Sequence, residues 1–69
     1  MELKELQNRF TYHPPKENQP ARYEFIREEC LKLAETINNN CPDSREKSVA
    51  LTKLDEVSMW SNASIARNE

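Results

Sequence analysis

The stretch NNNCPDS, residues 38–44, decides how this chain folds. On its N-terminal side Tyr23, Ile26, Cys30, Leu33 with Ala34, and Ile37 recur at the 3.6-residue period and form one apolar stripe. On its C-terminal side Leu51, Leu54, Val57 with Ser58, Ser61 and Ile65 do the same. Between them Pro42 cannot continue a helix. The chain has no glycine, so an asparagine among Asn38, Asn39 and Asn40 is the natural occupant of the left-handed position that closes a helix. Asp43 and Glu46 make a D-x-x-E variant of the capping box that opens the next one. The pattern predicts helices from Arg22 to about Asn38 and from about Ser44 to Arg67, folded as an antiparallel hairpin.

Upstream, residues 2–9 (ELKELQNR) read as a short N-terminal helix, with Leu3, Leu6 and Phe10 at i, i+3 and i+7. Residues 11–19 (TYHPPKENQ) cannot be helical through Pro14 and Pro15 and form a rigid, extended elbow. Pro20 follows near the first turn of the next helix, where a missing N–H costs little. The expected fold is all-α: a short N-terminal helix, a proline-rich elbow and a two-helix hairpin, in one domain spanning residues 1–69.

A chain of 69 residues buries only about 60 % of the surface it exposes when unfolded. Apolar residues make up 36 % and charged residues 32 %, a lean core under a charged surface. The third helix carries a second stripe through Val49, Glu56, Trp60 and Ala63 that one neighbour cannot also cover. Small domains in this position gain stability by associating, and self-association is the simplest expectation here. The net charge of −2, with both signs interspersed, argues against a long duplex nucleic acid as partner. It leaves room for a small anion in a local pocket. MELKELQN lacks the apolar core of a signal peptide, and no apolar run reaches the roughly 20 residues of a membrane span. A soluble, cytoplasmic protein is expected.

Little in the chain can do chemistry. Cys30 and Cys41 would lie about 16 Å apart along one helix, too far for a disulfide, so both read as reduced thiols, Cys30 packed and Cys41 in the turn. One histidine and two isolated cysteines give no metal site. Without glycine there is no phosphate loop. No nucleophilic triad can be assembled, no cofactor is implied, and the protein reads as a binder rather than an enzyme. Asn62-Ala63-Ser64 matches a glycosylation sequon but carries no meaning without a secretory signal.

The binding candidates cluster around the elbow. Tyr12 is a preorganised aromatic surface able to stack on a nucleobase. Arg9, Lys16, Arg22 and Arg27 supply charge nearby, and Arg27, beside the buried-stripe residue Ile26, could fork onto phosphate oxygens. Spacing alone favours plainer roles. Tyr12 then packs on the hairpin, Arg27 pairs with Glu24 or Glu28, Glu28 pairs with Lys32, and His13 donates locally in the turn. Arg67 in the last turn of its helix offsets the helix dipole.

The segments FTYHPP, QPARYEFIR and MWSNASIARNE, together with the Pro-x-Ser turn at Pro42 and Ser44, resemble the phage sponge proteins. These counter the cyclic-oligonucleotide-based anti-phage signalling system, CBASS, and a related hairpin domain occurs in phage anti-Thoeris sponges. The resemblance spans about Phe10 to Glu69. It implies a homohexamer in the cytoplasm of the infected bacterium that holds cyclic dinucleotides, such as cyclic GMP–AMP, between protomers without cleaving them. On the matching positions Tyr12 would stack on a base and Arg27, where members of the family carry lysine, would contact phosphate. His13 and Lys16 would lie beside them. Arg67 is the candidate for a separate cyclic trinucleotide site. Ser61 stands where alanine is commoner, with little expected effect on packing. The reading from a different class is a small helical interaction module that binds a protein through the Met59–Trp60 face.

Overall fold

A computed structural model describes residues 2–69; Met1 of the expected 1–69 unit lies outside them. Among the described residues there are three helices and no strand: α1, Leu3–Phe10; α2, Gln19–Asn40; and α3, Arg45–Asn68. Helices α2 and α3 pack against each other as an antiparallel hairpin. Lys47 reaches the Asn38 carbonyl at the turn end, and Arg22 reaches Glu69 at the open end.

The helix boundaries depart from the expected ones for identifiable reasons. Helix α2 begins three residues before Arg22, because Pro20 sits in the first turn, where its absent N–H would have had no partner. It also runs two residues past Asn38. No asparagine there adopts the left-handed conformation. Cys41 leaves the helix at φ −111° and ψ 135°, the extended region that a following proline imposes on the residue before it. Proline sterics, not a left-handed cap, end this helix. Its last carbonyls are met instead by the Cys41 N–H on Ile37 (3.0 Å), the Asn40 amide on Thr36 (2.7 Å) and the Lys47 ammonium on Asn38 (3.0 Å).

The expected Asp43–Glu46 capping box does not form. Ser44 is the N-cap of α3, and its hydroxyl oxygen accepts the Lys47 N–H at 3.1 Å. Ser44 is one residue nearer the helix and itself satisfies the N–H of the third helical residue, in the first turn. Asp43 pairs with the Lys47 ammonium at 3.0 Å instead. The other expected charge pair moves by one residue too, since Lys32 bonds Glu29 at 3.1 Å rather than Glu28.

Two positions on the stripes are also resolved. Where a large and a small residue were adjacent at the stripe's edge, the small one faces the partner helix. Ala34 and Ser58 are half-buried, whereas Leu33 and Val57 are exposed at 50 % and 53 %. Tyr23, Ile26, Cys30 and Ile37 pack inward as expected, as do Leu51, Ser61 and Ile65. Both cysteines are free, Cys30 half-buried and Cys41 exposed in the turn.

The molecule measures 45 × 29 × 12 Å. Its shortest dimension is about one helix diameter, so the three helices lie in a single layer. Stable domains bury their apolar faces between two layers. Here both broad faces are open, and Leu54 is the one buried apolar residue among those described. Leu3, Leu6 and Phe10 of α1, Phe25 and Leu31 of α2, and Met59 and Trp60 of α3 all stay exposed.

Candidate functional site

The segment between α1 and α2 is held by polar contacts rather than by a core. Asn8 anchors its near side: the side-chain amide donates to the Arg67 carbonyl at 3.1 Å, joining residues 59 apart in sequence. The Asn8 carbonyl in turn accepts from His13 Nε2 at 2.8 Å. A carbonyl can only accept, so Nε2 carries the proton. Thr11 closes the end of α1 by donating its hydroxyl to the Gln7 carbonyl.

Gln19 anchors the far side. It is only 4 % exposed, the one buried polar residue among those described. Its amide oxygen accepts from the Lys16 backbone N–H at 3.2 Å, while its own N–H donates to the Lys16 carbonyl at 3.0 Å. Its side-chain amide also donates to Glu69 Oε1 at 3.4 Å. Inside this turn Glu17 adopts φ 52°, the left-handed region that non-glycine residues enter at a cost. Lys16, Gln19 and Glu69 line a small concavity with His13, Pro14 and Ala66.

Arg22 completes the open end of the hairpin. Both terminal guanidinium nitrogens donate to the Glu69 carboxylate, Nη1 to Oε2 at 3.0 Å and Nη2 to Oε1. Hydrogen bonds from Arg22 and then Gln19 hold the Glu69 carboxyl below its usual range, and the same bond raises Arg22. Arg22 Nε is shielded from solvent without a partner.

Against this frame the five sequence candidates separate. Tyr12 does not pack on the hairpin; it is 80 % exposed between anchored neighbours. Arg27 forms no ion pair with Glu24 or Glu28 among the described residues. It lines an apolar groove between α2 and α3 with Cys30, Leu31, Ala34, Leu54 and Asp55. Tyr12 is not part of that groove, so a single chain does not bring the two into one concavity. His13 and Lys16 do share one, though His13 spends one ring nitrogen on Asn8 and Lys16 contributes its backbone to the Gln19 turn. Arg67 lines a separate concavity with Glu2, Lys4, Glu5 and Asn8, where charges of both signs meet.

Sequence reasoning missed Asn8, Gln19, Arg22 and Glu69 as a set. Each is an ordinary polar residue in its own neighbourhood, and only the fold brings them together. The extended segment with two prolines was the one local signal that something had to hold it.

A profile of the family described as Acb2/Tad1, hairpin domain, matches residues 2–66. No curated protein and no solved structure gave a significant match. The match covers nearly all of the chain: α1, the segment that follows it, α2, and α3 as far as Ala66, leaving Arg67 and Glu69 outside. The chain thus belongs to the Acb2/Tad1 hairpin-domain family, phage sponge proteins that act in the host cell by sequestering cyclic nucleotides.

Proposed function

We propose that this protein binds cyclic dinucleotides intact, between protomers of a homo-oligomer, and so keeps them from activating the CBASS effector of the infected bacterium. The whole chain acts as one hairpin unit in this reading. Tyr12 stacks on a base and Arg27 contacts a phosphate. Lys16 adds charge nearby, and His13 serves more as an anchor than as a ligand contact. The observation that carries the site is the exposed ring of Tyr12, held between two sets of hydrogen bonds in a member of a sponge family. An exposed ring gains about 1–3 kcal/mol on stacking against a base, and the held backbone on either side of it has little further freedom to lose.

The separation of Tyr12 from the Arg27 groove supports a site made by two chains. A cyclic dinucleotide has two bases and two phosphates in near two-fold symmetry. Two copies of the Tyr12–Arg27 pair, one from each protomer, match it. The single-layer fold and its open apolar faces favour such an assembly, and a homohexamer is the form the resemblance implies. Arg67 is proposed for a cyclic trinucleotide at a second site. Glu2 and Glu5 beside it oppose an anion, so that site needs cations from further copies.

A second reading has one observation in its favour. Met59 and Trp60 are both exposed on α3, Trp60 at 64 %, and could receive a protein partner. One experiment separates the two. A panel of 3′,3′-linked cyclic di- and trinucleotides is added in thermal-shift assays, and the bound ligand is recovered after denaturation. A raised melting temperature with intact ligand is expected. Linear products would mean hydrolysis, and no shift across the panel would leave the protein-binding reading.

A further inference from the structure

Gln19 is buried where burial is expensive. An amide side chain removed from water needs its hydrogen-bonding capacity met, and Gln19 meets it by joining two distant parts of the chain. Its oxygen takes the Lys16 N–H, and its nitrogen gives to Glu69, the residue that also clamps Arg22. Lys16 belongs to the segment that carries Tyr12, whereas Glu69 follows the last turn of α3. On the opposite flank Asn8 makes the matching tie through His13 and Arg67. A segment without a core of its own is therefore fastened to the end of α3 from both sides. The left-handed Glu17 shows that the turn is held against its own preference.

We propose that Gln19 is a positioning residue: by linking the Lys16 backbone to Glu69 it holds the Tyr12 segment in the ligand-ready conformation. Gln19 touches no ligand in this account, and it acts through Tyr12. The inference rests on the Tyr12 reading given above. Its energetic logic is preorganisation. A segment already ordered before the ligand arrives does not pay its ordering entropy from the binding energy.

The test uses the full chain and four proteins: wild type, Gln19→Met, Tyr12→Ala, and the swap Gln19→Glu with Glu69→Gln. Methionine keeps the volume and removes both hydrogen bonds. The swap keeps one amide facing one carboxylate. Two quantities are read: hydrogen exchange of the Lys16 amide without ligand, the N–H of residues 12–18 that has a hydrogen-bond partner, and the dissociation constant for a cyclic dinucleotide. Gln19→Met is expected to exchange at least about tenfold faster at that amide while the hairpin stays protected, and to bind about tenfold more weakly. The swap should recover most of both. Unchanged exchange in Gln19→Met overturns the proposal. Faster exchange with wild-type affinity also overturns it, provided Tyr12→Ala binds weakly. If Tyr12→Ala binds as well as wild type, the Tyr12 site itself is wrong and the positioning role falls with it.

Discussion

The two ends of the hairpin are closed by opposite means. At the turn end every tie is local: Ser44 caps the Lys47 N–H, Lys47 reaches Asp43 and Asn38, and Cys41 bonds Ile37. These residues are at most nine apart in sequence. At the open end the ties span the chain, from Asn8 to Arg67 and from Gln19 and Arg22 to Glu69. A local tie orders few residues and forms once the turn and the helix ends beside it are in place. A distant tie forms only once the whole hairpin is folded, and it can therefore hold a segment that has no structure of its own. In the function proposed above, the turn end serves stability and the open end would serve the presentation of Tyr12.

Variants can break this comparison or sharpen it. The largest effect belongs to neither end. Leu54→Ala empties the one buried apolar position among the described residues and should cost about 2–4 kcal/mol of stability, read by denaturant unfolding at fixed protomer concentration. Next comes Tyr12→Ala, which should weaken cyclic dinucleotide binding by about 1–3 kcal/mol per stacked base. Its melting temperature should barely change, because the ring is exposed. At the turn end the reverse is expected: Ser44→Ala loses its cap and about 1 kcal/mol of stability, with binding intact. A Ser44→Ala protein that binds tenfold more weakly at unchanged stability would erase the distinction between the ends.

A smaller gain is expected inside the elbow. Glycine at position 17 meets the left-handed backbone without steric cost, so Glu17→Gly should stabilise by up to about 1 kcal/mol in the same unfolding assay. The smallest effect is on pH. Glu69 is held below its ordinary range by Arg22 and Gln19, so its folded-state value is the depressed one. The stability it adds is then present above the unfolded carboxylate value, about 4.3, and disappears as pH falls through the folded value. As the pH falls from above the unfolded value into the acid range, amide protection at the open end, taken relative to the intrinsic exchange rate at each pH, should fall, and Glu69→Gln should remove that response.

How much of this was legible beforehand follows the same division. The hairpin was readable because period, proline and polarity are local properties. Pro42 marked the break, and the stripes through Tyr23–Ile37 and Leu51–Ile65 marked the packed faces. The errors there were also local. Asn38–Asn40 looked like a left-handed cap, but the proline two residues on had already set Cys41 extended. Leu33 and Val57 looked inward because periodicity cannot choose between adjacent residues, a choice that close packing makes in favour of Ala34 and Ser58. At the candidate site, Tyr12 and Arg27 could be named from resemblance. Spacing had Tyr12 packed and Arg27 paired, and neither contact forms. The anchors Asn8, Gln19 and Glu69 were not legible at all. A hydrogen bond across about fifty residues leaves no pattern in either partner's neighbourhood.

The central claim is that Tyr12 on its anchored segment and Arg27 on α2 hold a cyclic dinucleotide without cutting it. Titration calorimetry with a 3′,3′-cyclic dinucleotide, on wild type, Tyr12→Ala and Arg27→Ala, tests it most directly when the ligand is then recovered and weighed by mass spectrometry. The account predicts tight binding by wild type, binding at least tenfold weaker in each variant, and ligand of unchanged mass. Equal affinity in all three proteins, or a ligand heavier by one water, would contradict it.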